Sequence, residues 1–137
     1  LISKGLTNAG VYALPAELGT GETLVAQRLD AQAPALVTDA ATSADGSLVV
    51  ALTYLNVVEL DPADWSVAGR HALPGRQAGL QQPESITVVP RTSADVVVGS
   101  EGADSPLVRL TLRTGKAENT DSFRDRWNRL IRTLKHE

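Results

Sequence analysis

The sequence predicts a mainly β chain of antiparallel four-stranded units, followed by one C-terminal amphipathic α-helix. Three observations predict it. The pair Asp45-Gly46 separates two apolar runs rich in β-branched residues. Asp-Gly between such runs is the strongest short-range hairpin signal, because both positions tolerate φ > 0. Similar strand-like segments then recur along the chain. Near the end the period changes: Phe123, Trp127, Leu130, Ile131 and Leu134 fall at i, i+4, i+7, i+8 and i+11, on one helical face.

In chain order, Leu1-Ile2-Ser3 reads as the end of a strand and residues 4–10 as a Gly-bounded loop. Val11-Tyr12-Ala13-Leu14 is a short strand stopped by Pro15, which cannot donate to a ladder. After a turn at Gly19-Thr20-Gly21, residues 23–29 alternate as a strand and residues 30–34 read as loop. The central unit begins with a strand over 37–42 and the Asp45-Gly46 turn. Residues 48–55 form a near-continuous apolar strand, of the kind buried on both faces. A third strand, 57–60, stops at Asp61-Pro62. Residues 66–73 form a fourth strand, more polar than the others, as an exposed edge should be. Residues 76–83 are loop, and residues 85–89 a strand ended by Pro90. Val96-Val97-Val98 marks a buried strand over 95–100, and residues 107–112 alternate up to Thr114-Gly115. A helix is predicted over 122–135. Thr120 or Asp121 is its N-cap, Asp121 and Asp125 lie near the positive end of its dipole, and Arg132 and Lys135 lie near the negative end.

The segments repeat. Val11-Tyr12-Ala13-Leu14 matches Val57-Val58-Glu59-Leu60 and Leu107-Val108-Arg109-Leu110, and Thr38-Asp39-Ala40-Ala41-Thr42 matches Pro83-Glu84-Ser85-Ile86-Thr87. A period of roughly 45 residues with about four short strands is the signature of propeller blades, sheets that cannot bury both faces alone. On this reading 1–35 is a partial blade with its second, third and fourth strands. Residues 36–75 are a complete blade, 83–113 a partial blade with its first three strands, and 120–137 the helix, all in one structural domain. Closed propellers typically take four to eight blades, so the remaining blades come from a larger chain or from copies of this one. The absence of Met and a first residue Leu1 favour the piece. A short twisted β-sandwich is the competing architecture.

Bulk properties bound the function. A formal net charge of -3 argues against electrostatic capture of nucleic acid, and 4% aromatic residues against base-stacking platforms. No apolar run approaches the ~20 residues of a membrane span. Without Cys there is no disulfide framework, thiolate nucleophile or Cys-based zinc site. No G-x-S-x-G surrounds Ser85, and no Gly-rich phosphate loop precedes a helix. His71 and His136 lack metal-ligand spacing, and His71 reads as a surface residue of the polar fourth strand.

Val37-Thr38-Asp39-Ala40, then Ser43-Ala44-Asp45-Gly46 and the strand through Tyr54, resemble blades of bacterial seven-bladed propellers of the WD40-like and phytase-like kinds. Gln82-Pro83-Glu84-Ser85-Ile86 is similar to their blade opening and to that of gluconolactonase-like propellers. Leu52, where related blades often carry a charge, and a final turn without Gly depart from the pattern. The resemblance covers most of residues 1–113 and none of the helix. It implies a propeller, an exported setting, and a calcium-binding Glu in a context like that of Glu84.

Asp39 and Glu84 therefore form the candidate metal site. Both are expected at the start of innermost strands, around a central channel, where carboxylates could hold a hard cation such as Ca²⁺. The competing reading, which we weigh more heavily, has them capping turns or lining a wet channel without a metal. Phe123, Trp127, Leu130, Ile131 and Leu134 form the candidate partner-binding stripe; packing on the sheet or on a second chain is the plainer reading. Arg124, Arg126, Arg129, Arg132 and Lys135 would face an acidic partner or membrane surface. The function expected is a scaffold that presents loops to a protein or small-molecule ligand. The alternative is part of a metal-dependent phytase-like or lactonase-like hydrolase, with Asp39 and Glu84 as channel carboxylates.

Overall fold

The computed structural model describes residues 1–17, 19–21, 23–90 and 94–112. These form nine strands: β1 (Ala9–Ala13), β2 (Gln27–Ala33), β3 (Val37–Thr42), β4 (Val49–Thr53), β5 (Asn56–Leu60), β6 (Val67–Ala72), β7 (Pro83–Val88), β8 (Asp95–Ser100) and β9 (Leu107–Thr111). All pairings are antiparallel, in three consecutive sheets: β1-β2, β3-β4-β5-β6 and β7-β8-β9. The helix expected over 122–135, with its stripe of Phe123, Trp127, Leu130, Ile131 and Leu134, lies outside the described residues.

The first sheet has a further member. Ile2 bridges Val11 in antiparallel sense, Ser3 N–H donates to Gly10 O at 2.9 Å, and Tyr12 N–H donates to Leu1 O at 2.8 Å. Residues 1–3 thus lie beside β1, on the side away from β2.

The sheets stack face to face, with the middle sheet between the other two. Paired residues on adjacent strands share a face, which sorts the core into two layers. Val50, Leu52 and Val57 meet Ile86, Val88, Val96 and Val98 of the third sheet. Val49, Ala51, Val58 and Leu60 meet Ala9, Val11 and Ala33 of the first. Every residue of β4 is buried. A strand with water on one side would alternate, so the near-continuous apolar run at 48–55 follows from having a sheet on each side.

Several boundaries differ from expectation. The strand expected over 23–29 is β2, shifted to Gln27–Ala33, and it occupies residues read as loop. Its inward residues are Leu29, Ala31 and Ala33, and its outward ones Arg28, Asp30 and Gln32. Alanine is a weak apolar signal, so the alternation was masked. Residues 76–83 contain a 3₁₀ turn over Gly75–Ala78, and Leu80 beyond it is buried in the core. Pro83 opens β7, where a missing N–H costs no ladder bond. The Asp45-Gly46 turn is a four-residue loop closed by Ser43 N–H to Leu48 O at 2.9 Å. Gly46 has φ of 73°, but Asp45 keeps negative φ.

Candidate functional site

β3 and β7, the first strands of their sheets, lie against each other. Each carries a β-bulge near its start, between Val37 and Asp39 and between Pro83 and Ser85. A bulge sets one extra residue into one strand and re-aims the side chains around it. Past the bulge Asp39 pairs with Leu52 and Ser85 with Gly99. Ser85, and not Glu84, therefore holds the position equivalent to Asp39. Glu84 corresponds to Thr38, within the bulge. The expected equivalence of Asp39 and Glu84 is corrected by one residue: both strands carry the bulge at the same place, so the ladder aligns Val37 with Pro83, an offset that the apolar pattern of these short strands does not specify.

The two carboxylates have different surroundings. Asp39 is half-buried and shares the face of Leu52, turned toward the third sheet. Its Oδ2 accepts the Ile86 N–H at 2.8 Å, and its Oδ1 accepts the Ala40 N–H at 2.8 Å. Thr38 adds a second link, its hydroxyl donating to Pro83 O at 2.8 Å. Glu84 belongs to a chain of polar groups running across all three sheets. The Lys4 ammonium donates to the Tyr54 hydroxyl oxygen at 3.2 Å, and that hydroxyl donates to Glu84 Oε1 at 3.3 Å. The hydrogen bond to Tyr54, and after it the nearby charges including Glu84, hold the Lys4 ammonium above its usual range. Lys4 also stands 5.4 Å from the Tyr54 ring centroid, within cation–π range.

A hard cation such as Ca²⁺ wants six to eight oxygen ligands. Both Asp39 oxygens already accept main-chain N–H groups, and Glu84 is linked through Tyr54 to an ammonium. Among the described residues no cluster of three or more His, Cys, Asp or Glu could hold a metal ion. The two carboxylates by themselves do not fit such a cation, and no chemistry is assigned to one here.

An open groove of about 300 Å³ lies beside this cluster, lined by Leu1, Ile2 and Lys4 on one wall and Val37, Thr38, Asp39 and Ala40 on the other. The sequence singled out Asp39 but not Lys4, Tyr54 or Thr38. Lys4 sat in an anonymous loop, and Thr38 and Tyr54 carried no signal beyond their places in a repeated pattern. His71 was expected on the surface. It is half-buried, with its ring Nε2 against Glu59 Oε1 on the face toward the third sheet. Glu101 and Asp104 are exposed in the loop between β8 and β9.

No family model, no curated protein and no solved structure matches the chain. Among the described residues, no helix is long and apolar enough to cross a membrane.

Proposed function

We propose that the three sheets are successive blades of a β-propeller, and that the chain is a binding scaffold and not a catalyst. One observation carries this reading. The first-place strand β3 of a four-stranded meander lies along the first-place strand β7 of the next, tied by Thr38 to Pro83 O and by Asp39 to the Ile86 N–H. Blades meet in this way around a channel, inner strand beside inner strand with the faces packed behind. In a two-sheet sandwich the middle sheet would keep one face in water; here it has a sheet on each side. The partners consistent with the reading are further blades, from a longer chain or from copies of this one, and a protein or small-molecule ligand at the loop ends.

The scaffold reading supplies no base, nucleophile or metal at the strand ends. We expect the full chain to take up no Ca²⁺ in a calorimetric titration and to hydrolyse neither phosphate esters nor lactones with or without it. Calcium-dependent turnover abolished by both Glu84→Gln and Asp39→Asn would overturn the scaffold reading in favour of the hydrolase.

A further inference from the structure

We propose that Tyr54, Glu84 and Glu101 form a recognition site for an alkylammonium group, the lysine side chain of a partner protein, and that Lys4 is its internal stand-in. The inference rests on the scaffold reading, in which ligands meet the loop ends.

The site is a row of side chains where β4 and β8 end and β7 begins. Lys4, Tyr54 and Glu101 each follow a hydroxyl residue anchored to the main chain. The Ser3 hydroxyl oxygen accepts the Gly10 N–H at 2.9 Å, that of Thr53 the Asn56 N–H at 3.0 Å, and that of Ser100 the Gln82 N–H at 2.8 Å. The backbone before the row is thus pinned in each sheet, while the side chains differ: an ammonium, a phenol and a carboxylate. Glu84 joins the row from β7. Pro83 before it pairs with Ser100, and the Glu101 N–H donates to Gln82 O at 2.8 Å. The two carboxylates therefore leave neighbouring rungs of one ladder.

The ligand class follows from what the row already holds. An aromatic ring attracts a cation to its face, and carboxylates beside it add to that attraction. The Lys4 ammonium donates to the Tyr54 hydroxyl oxygen and stands 5.4 Å from the ring centroid. Tyr54 first, then Glu84 and Glu101, hold that ammonium above its usual range. Lys4 nevertheless uses only part of the row. Its link to Glu84 runs through the Tyr54 hydroxyl and not through a direct ion pair. Among the described residues, Glu84 Oε2 and the Glu101 carboxylate accept no hydrogen bond. An ammonium on another stem could reach the phenol oxygen and both carboxylates, matching its three N–H donors to three acceptors. Lys4 would swing into water, where its head group is strongly hydrated. Glu101 is exposed, and Tyr54 and Glu84 are half-buried. Small molecules favour sites that enclose most of their surface; an open row suits a side chain held out by a larger partner.

The experiment uses the full chain with tyrosine rings labelled for NMR. The chain has two tyrosines, so Tyr12 is the internal control. The probes are n-butylammonium, a capped Gly-Lys-Gly peptide, and the same peptide acetylated on its lysine. In Lys4→Met the first two should shift the Tyr54 ring signals saturably, with half-saturation on the order of 1–10 mM. In the unsubstituted chain Lys4 competes, and a site filled about nine-tenths of the time binds about tenfold more weakly. Glu101→Gln, at an exposed position, should weaken the peptide about threefold in the Lys4→Met background. The acetylated peptide carries no charge and should not bind. No saturable shift at Tyr54, equal shifts at Tyr12, equal affinity with and without Lys4, or binding of the acetylated peptide would overturn the proposal. Binding of butylammonium without the peptide would assign the row to a free amine and overturn the lysine-bearing partner. The titrations omit calcium, so calcium-dependent turnover, the result that removes the scaffold reading, is scored separately.

Discussion

Asp45 holds the β3–β4 loop with a single oxygen. Its Oδ1 accepts the Ser43 hydroxyl at 2.6 Å, the Ser47 hydroxyl at 2.8 Å and the Ser47 N–H at 3.1 Å. The Ser43 bond first, then those from Ser47, hold its carboxyl down at about 2, against 3.8 for a free aspartate. Asp64 and Asp95 are lowered in the same direction, chiefly by Ser66 and by Thr111 respectively. A carboxyl depressed in the folded state adds stability above its unfolded pKa and loses it as pH falls through the folded one. The melting temperature should therefore drop between about pH 4 and pH 2, and Asp45→Asn should flatten that drop when melts are recorded across the window. Next to it, Gly46 at φ 73° has nothing within 4 Å of an added Cβ. Gly46→Ala is then a backbone penalty alone, about 1–2 kcal/mol in urea denaturation. Asp39→Ala, which strips the acceptor from the Ile86 and Ala40 N–H groups, should cost about 1–3 kcal/mol by the same measurement. At this scale the sequence was half legible. The Asp-Gly loop announces itself by residue type. The partners of Asp39 could not be read, because a bulge moves the register by one and leaves no compositional mark.

The strands themselves were the most legible level. β4 stood out as a near-continuous apolar run, and its place between two layers explains why its one polar residue, Thr53, stands at its end. Leu52, fully buried on the face toward Ile86 and Val98, should lose about 2–5 kcal/mol as Leu52→Ala, seen as a lower urea midpoint with unchanged slope. Val67, exposed on the edge strand β6, should tolerate Val67→Thr within about 0.5 kcal/mol. β2 shows where periodicity fails. Its inner face is carried by Leu29, Ala31 and Ala33, and two alanines beside Asp30 and Gln32 resemble a loop until a neighbouring sheet is there to cover them.

Among the described residues the buried core of each sheet lies against the next one along, so stability should be graded along the stack. The middle sheet has two buried interfaces and its neighbours one each among the described residues. Amide hydrogen exchange should be slowest in β4 and β5 and fastest in β2 and residues 1–3. Among the described residues β9 pairs with β8 alone, and its Leu107 is 75% exposed. An edge of this kind recruits other chains. Light scattering should show mass rising with concentration, and Leu107→Lys should suppress that rise without lowering the melting temperature. The junction between β3 and β7 has a further consequence. Thr38 and Asp39 both reach main-chain atoms, the Pro83 oxygen and the Ile86 nitrogen. Every residue has a carbonyl oxygen and nearly every one an amide hydrogen, so these two bonds ask nothing of the side chains across the seam. A unit joined to its neighbour through backbone atoms can drift far in sequence, or be copied beside a dissimilar unit, and still dock in the same phase.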